Sequence, residues 1–172
     1  MTPEQAGFLA SVFLPSVQKE YLTTRRVLRA IPVEKDGFQP HPVARTTIEL
    51  AWHLASSDVW FLDGFLTSKF EMEDDSMPGD LTDTADIVAL YEEQFEAKFP
   101  EVARLTPEFW ATPLTFFGIF NHPAVLYLQF MLNHAIHHRG QLCAYLREMG
   151  AKVPNIYGGS FDEPMPASPP NE

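Results

Sequence analysis

Apolar residues recur at three- and four-residue intervals through four long stretches of the chain, separated by joints that carry proline or glycine. That period is the mark of amphipathic helices. The first stretch runs from Pro3 to Arg29, with Thr2 as N-cap ahead of a proline at the first helical position. Pro15, which lacks an N–H, is expected to kink or divide it. Residues 31–43, IPVEKDGFQPHPV, read as a connecting loop. A second helix is expected from about Ala44 to Lys69, broken by the acidic, turn-forming run EMEDDSMPGD at 71–80. A third starts at Thr82 or Asp83 and continues to about Lys98. The segment from Pro100 to His122, with prolines at 100, 107 and 113, reads as irregular or broken helix. Pro123 opens a long fourth helix, and Gly150 closes it from the C′ position. No β-alternation of useful length and no internal repeat is present. Four helices of this length most simply form an all-α bundle. Residues 1–158 make its single domain, and 159–172 a Pro-rich C-terminal tail.

Composition narrows the function. The 172 residues suffice for one packed domain, and the 45% hydrophobic content with 14 Phe supplies its core. A formal net charge of −11 argues against a nucleic-acid surface, which needs clustered Lys and Arg, and against an anionic membrane. No run approaches the length of a bilayer span, and the N-terminus lacks the basic and apolar regions of a secretory signal. Cys143 is the single cysteine, so an internal disulfide is excluded and a reducing cytoplasm fits.

Half of the six histidines fall within MLNHAIHHRGQLCAYLREM, residues 131–149. At about 100° per residue, His134 and His138 share the middle of the apolar face of that helix. His137 lies at its margin, and Cys143 and Arg139 point elsewhere. Arg139 is expected to pair with carboxylates at the surface or at a dimer contact. Two imidazoles one turn apart can aim at one ion, as in helical HExxH sites, although this run lacks that motif's glutamate. Taken alone, the pair is equally well read as two hydrogen-bonded core histidines. The second helix offers a third donor, because His53 shares its core-directed face with Glu49, Ser57, Trp60 and Phe61. Glu49, one turn before His53, is placed to orient that imidazole or act as a base. It reads equally as a surface carboxylate. Gln141 is placed to bind a ligand or to serve structure. The EMEDD run reads as a solvated loop, without the ligand spacing of a calcium site.

His53 taken with HAIHHRGQL resembles the DinB family of DinB/YfiT-like helical metalloproteins. FLPSVQKEYLTTRRVLRAIP looks like the family's first helix, IELAWHLAS like its second-helix histidine motif, and NHAIHHRGQLCAYLREMGAKVPNIYG like its fourth helix. The resemblance covers most of residues 12–158, with 71–121 matching only in general pattern. It implies a four-helix bundle of up-down-down-up connectivity. It also implies a divalent metal, zinc or nickel, on His53, His134 and His138, and a homodimer formed through bundle helices. Related branches include transferases and isomerases that use low-molecular-weight thiols. The expectation is therefore a metal-dependent S-transferase or hydrolase acting on a small electrophile. The alternative is a non-catalytic metal-binding protein of stress response or interaction.

Overall fold

The computed structural model describes residues 1–72 and 74–165. Its first helix, α1 (Pro3–Arg29), starts from a capping box: Thr2 accepts from the Gln5 N–H, and the Gln5 side chain accepts from Thr2 N. Pro15 neither ends nor splits it, because the expected break costs one backbone bond in a helix of 27 residues packed along its length. A short 3-10 turn, Val33–Lys35, leads to α2 (Thr47–Thr67). This helix begins three residues later than the apolar pattern implied, because Thr46 and Glu49 form a second capping box. α3 (Thr84–Val102) is capped by Asp83 and carries Pro100 in its last turn. The helix continues through Pro100 although the bond from that position to the Glu96 carbonyl is forgone, so α3 outruns its expected end near Lys98.

The segment expected to be irregular is ordered. It forms α4 (Pro107–Ala111) and a hairpin, β1 (Pro113–Phe116) paired antiparallel with β2 (Phe120–Pro123). Leu114 and Phe116 alternate inward on β1, but four residues of period two are too short a signal to read from sequence. α5 (Ala124–Glu148) follows, with Pro123 as its N-cap and Gly150 at φ +74° in the C′ position.

Cross-helix pairs fix the connectivity. Glu20 meets Arg139, and Arg26 reaches Asn155 beyond the end of α5, so α1 and α5 run parallel. Asp58 meets Tyr91 and Asp63 meets Lys98, so α2 and α3 are parallel too. Tyr21 with Glu96 and Arg29 with Glu92 set α1 against α3. Thr47 beside Met149 and Phe61 beside His134 set α2 against α5. The bundle is up-down-down-up, with α4 and the hairpin closing one end.

Parallel α2 and α3 require the connecting strap, described at residues 68–72 and 74–83, to travel back along a helix of 21 residues, about 30 Å. This strap is pinned to α2. The Trp60 indole N–H donates to the Glu71 carbonyl (3.2 Å) and that of Trp52 to the Asp75 carbonyl (2.9 Å). Phe70, at the start of the strap, lies so close to α2 that a Cβ at Gly64 would sit 2.2 Å from its ring.

A buried polar group crosses the core. Arg139 is 1% exposed and donates to the Glu20 carboxylate, the Glu20 carbonyl, Thr24 Oγ1 and the Tyr157 hydroxyl. This corrects the expected surface or dimer role. α5 packs on α1 as well as α2, so its side opposite His134 is interior as well. Beyond α5 the chain folds back over α1 and α5. Glu163 binds Arg26 and the Asn155 N–H, and Asp162 binds Arg147 and the Val153 N–H. The rest of the expected tail, 166–172, lies outside the described residues. Among the described residues no helix is long and apolar enough to cross a membrane.

Candidate metal centre

Three imidazoles converge between α2 and α5: His53, His134 and His138 each offer a ring nitrogen, and these atoms lie within 4.8 Å of one another. The helical phase explains the meeting. His134 and His138 are one turn apart on the face of α5 that packs antiparallel on α2, and His53 projects from α2 between them. Ring centroids lie 4.9 Å apart for His53–His134, 4.6 Å for His53–His138 and 4.4 Å for His134–His138.

The outer nitrogens determine what the inner ones present. His53 Nδ1 donates to Asp75 Oδ2 at 2.7 Å, which leaves a lone pair on Nε2. His138 Nδ1 donates to Gln141 Oε1 at 2.9 Å, with the same result. His134 Nε2 stands 3.1 Å from His53 Nε2, while its Nδ1 is buried without a partner. Burial pushes the His134 pKa down to about 3, helped by the neighbouring His138 and His53, so the ring is neutral at physiological pH. Burial also lowers His138, against the opposing pull of Gln141. Three imidazole nitrogens thus gather at one point, with the outer nitrogens of His53 and His138 held by Asp75 and Gln141. That donor set suits a divalent cation. The 3.1 Å between His53 and His134 is near the ~3.3 Å edge of a tetrahedron with metal–nitrogen bonds of 2.0–2.1 Å.

The partner of His53 was not legible in the sequence. Asp75 sits on the strap, also meets Arg45 at 3.3 Å, and accepts from Ser56 at 3.3 Å. It completes a carboxylate–histidine pair of the kind that fixes ring orientation at metal sites. The one available signal was general: a ligating histidine needs an acceptor on its outer nitrogen, and EMEDD was the densest nearby source of carboxylates. Glu49, expected to orient His53 or act as a base, points elsewhere. Its exposed carboxylate accepts from the backbone N–H and the hydroxyl of Thr46, and these bonds lower its pKa. The T-x-x-E spacing of a capping box was there to be read at 46–49. His137 is exposed and bonds the Gln141 side chain, so Gln141 bridges the two adjacent histidines. Cys143 is half-buried, and burial raises its pKa.

A cavity of about 710 Å³ opens beside the cluster, and His53 and His134 form part of its wall. Trp60, Phe61 and Phe130 line it with Phe116 and Phe117 of the hairpin.

The DinB family model matches residues 4–171. Among solved structures, a DinB-like protein from Bacillus cereus ATCC 10987 superposes with a TM-score of 0.71 at 29% identity, over 84% of this chain and 95% of that one. A DinB-like protein from Bacillus subtilis, YjoA, superposes with a TM-score of 0.67 over 84% of this chain and 96% of that one. Its 20% identity carries the likeness of fold alone. None of the curated proteins matches the chain. With the bundle, the histidine triplet and a family model matched from residue 4 to residue 171, the chain belongs to the DinB family.

Proposed function

We propose that the protein is a divalent-metal-dependent enzyme in which His53, His134 and His138 hold zinc or nickel. The observation that carries the reading is the open side of the donor set: three histidines on one flank and a solvent-reachable cavity on the other. A resident ion there supplies Lewis acidity, which lowers the pKa of a coordinated water or thiol at neutral pH. The chain's own residues do the positioning. Asp75 holds His53 by Nδ1, and Gln141 holds His138 in the same way. Trp60 and Phe61 make the cavity side of the site apolar. The reaction this arrangement fits is attack by water or a low-molecular-weight thiol on a small electrophile, as in a hydrolase or S-transferase. A purely structural metal would be served by a fourth protein ligand and a closed core, so the cavity favours the enzyme over a non-catalytic binding or stress-response role. The same reading has the chain working as a homodimer in a reducing cytoplasm. Support comes from the lone cysteine and from Phe8 and Val12, exposed on α1.

The test is metal analysis of protein purified without an affinity tag. About one divalent ion per chain is expected, lost in His53→Ala, His134→Ala and His138→Ala and kept in His137→Ala. Metal-free protein that takes up neither zinc nor nickel refutes the site. Turnover is then sought with a panel of thiols and electrophiles, before and after chelation.

A further inference from the structure

The cavity beside the histidines carries an inference about what enters it, one that rests on the cluster being the reacting centre. Its wall is aromatic. Trp60 packs 5.3 Å from Phe117 and 5.4 Å from Phe116, and Phe130 lies 5.8 Å from Phe116. Phe61, 6.4 Å from His134, carries the wall to the metal ligands.

Phe117 is the informative member. Its φ of 54° is in the left-handed region, which a bulky residue seldom occupies and which strains the backbone. The glycine beside it, Gly118, also has positive φ without strain. The hairpin overrides the strain by bonding Phe117 N–H to the Phe70 carbonyl at 2.8 Å. The outcome is a phenyl ring against Trp60 and 36% exposed at the cavity, where burial alone would not hold it. Strain of this kind clusters at ligand clamps.

Charge defines the rest. Among the described residues no Lys or Arg lines the cavity, and its carboxylates are Asp63, Asp74 and Asp75. Lys98 pairs with Asp63 at 2.6 Å, and Arg45 and His53 pair with Asp75. Ser57, Gln94 and Asn133 add uncharged hydrogen-bonding groups. Away from the histidines an anionic ligand would meet aspartates and no cation of the chain; a resident divalent ion would be the one positive charge, at the histidine end of the cavity. A cationic ligand would find two of the three aspartates already paired. The volume lies within the 300–1,000 Å³ usual for small-molecule sites.

We propose that this cavity binds an uncharged, planar aromatic molecule, its ring laid against the wall that Trp60 and Phe117 form together and its reacting group turned toward His53 and His134. The substrate of the centre is then an aromatic or similarly flat apolar electrophile with no carboxylate, phosphate or sulfonate on the ring that lies along that wall.

A matched dye pair tests this. N-phenyl-1-naphthylamine is neutral, and 1-anilinonaphthalene-8-sulfonate adds one sulfonate to the same ring system. Titration follows dye fluorescence and energy transfer from tryptophan, on metal-loaded and chelator-treated protein, with metal content measured in parallel. The neutral dye is expected to bind both forms, and the sulfonate to bind the metal-free form at least tenfold more weakly. Phe117→Gly removes the ring and relieves the backbone strain, so it should fold and lose at least tenfold in neutral-dye affinity. Trp60→Ala should lose as much, with folding checked by circular dichroism. Equal binding of the two dyes by the metal-free form overturns the charge selection. Unchanged binding by Phe117→Gly overturns the assignment of the aromatic wall as the ring's seat. Absent dye binding in a protein that holds its metal defeats this inference and leaves the metal reading standing. Dye binding as expected in a protein that takes up no metal defeats the metal reading instead.

Discussion

Replacing Asp75 measures how far the return strap controls the metal centre. The carboxylate receives the His53 Nδ1–H at 2.7 Å, a charge-assisted contact that fixes the ring and makes Nε2 a better donor. Loss of such a partner typically weakens metal binding by about 10–100-fold. Here Asp75 is 44% exposed, so water partly replaces what is removed, and the effect belongs in the lower half of that range. Asp75→Ala is therefore expected to weaken zinc or nickel binding by about 10–30-fold, or ~1.4–2 kcal/mol. Asp75→Asn keeps an acceptor but loses the charge, which makes the bond about half as strong, and about 3–10-fold is expected. Glu49→Ala is the paired control. It should stay within about twofold of wild-type metal affinity while costing ~1 kcal/mol of stability from the lost capping box. Competition against a chromophoric chelator gives the affinities, and urea titration the stabilities. Asp75→Ala binding metal as tightly as wild type would refute the argument. A larger metal effect from Glu49→Ala would return the positioning role to the residue one turn before His53.

Arg139→Met should destabilise the bundle by about 3–5 kcal/mol in urea titration, because it leaves the Glu20 carboxylate without its buried partner. Pairing it with Glu20→Leu should recover much of that loss, and a cost under about 1 kcal/mol for the single change would contradict a buried ion pair. Asp58 gives a pH prediction. Burial raises its folded pKa from 3.8 to about 7, with the Tyr91 hydroxyl donating to Oδ2 at 2.6 Å. The folded chain therefore holds a proton that the unfolded chain releases, so Asp58's contribution to stability falls as pH rises from 3.8 toward about 7. Asp58→Asn keeps an acceptor for Tyr91 and should flatten that part of the pH–stability curve. An unchanged slope would mean that the carboxyl titrates normally.

The histidine constellation was legible early because it depends on periodicities. His134 and His138 are one turn apart on an apolar helix, and His53 lies on the apolar face of another, so two helical phases brought out three candidates and the resemblance to the DinB family made them a ligand set. Asp75 was not legible, since a residue in a turn-forming acidic run has no phase. Its place was decided when parallel packing of α2 and α3 drew the strap back past His53. Arg139 was misplaced for a related reason. A helical wheel assumes one buried face, whereas α5 has two.

The sequence alone determined the four long helices, most of their ends within a few residues, the all-α class and the inward histidines. All of these follow from local propensity, capping chemistry and the 3.6-residue repeat. It also carried the resemblance to the DinB family, and from that the up-down-down-up order. Tertiary structure decided the hairpin, the strained Phe117, the aromatic cavity and the carboxylate on His53. Each depends on residues distant in the chain, such as Phe70 with Phe117 or Trp60 with Glu71, and no local pattern encodes which of them will meet.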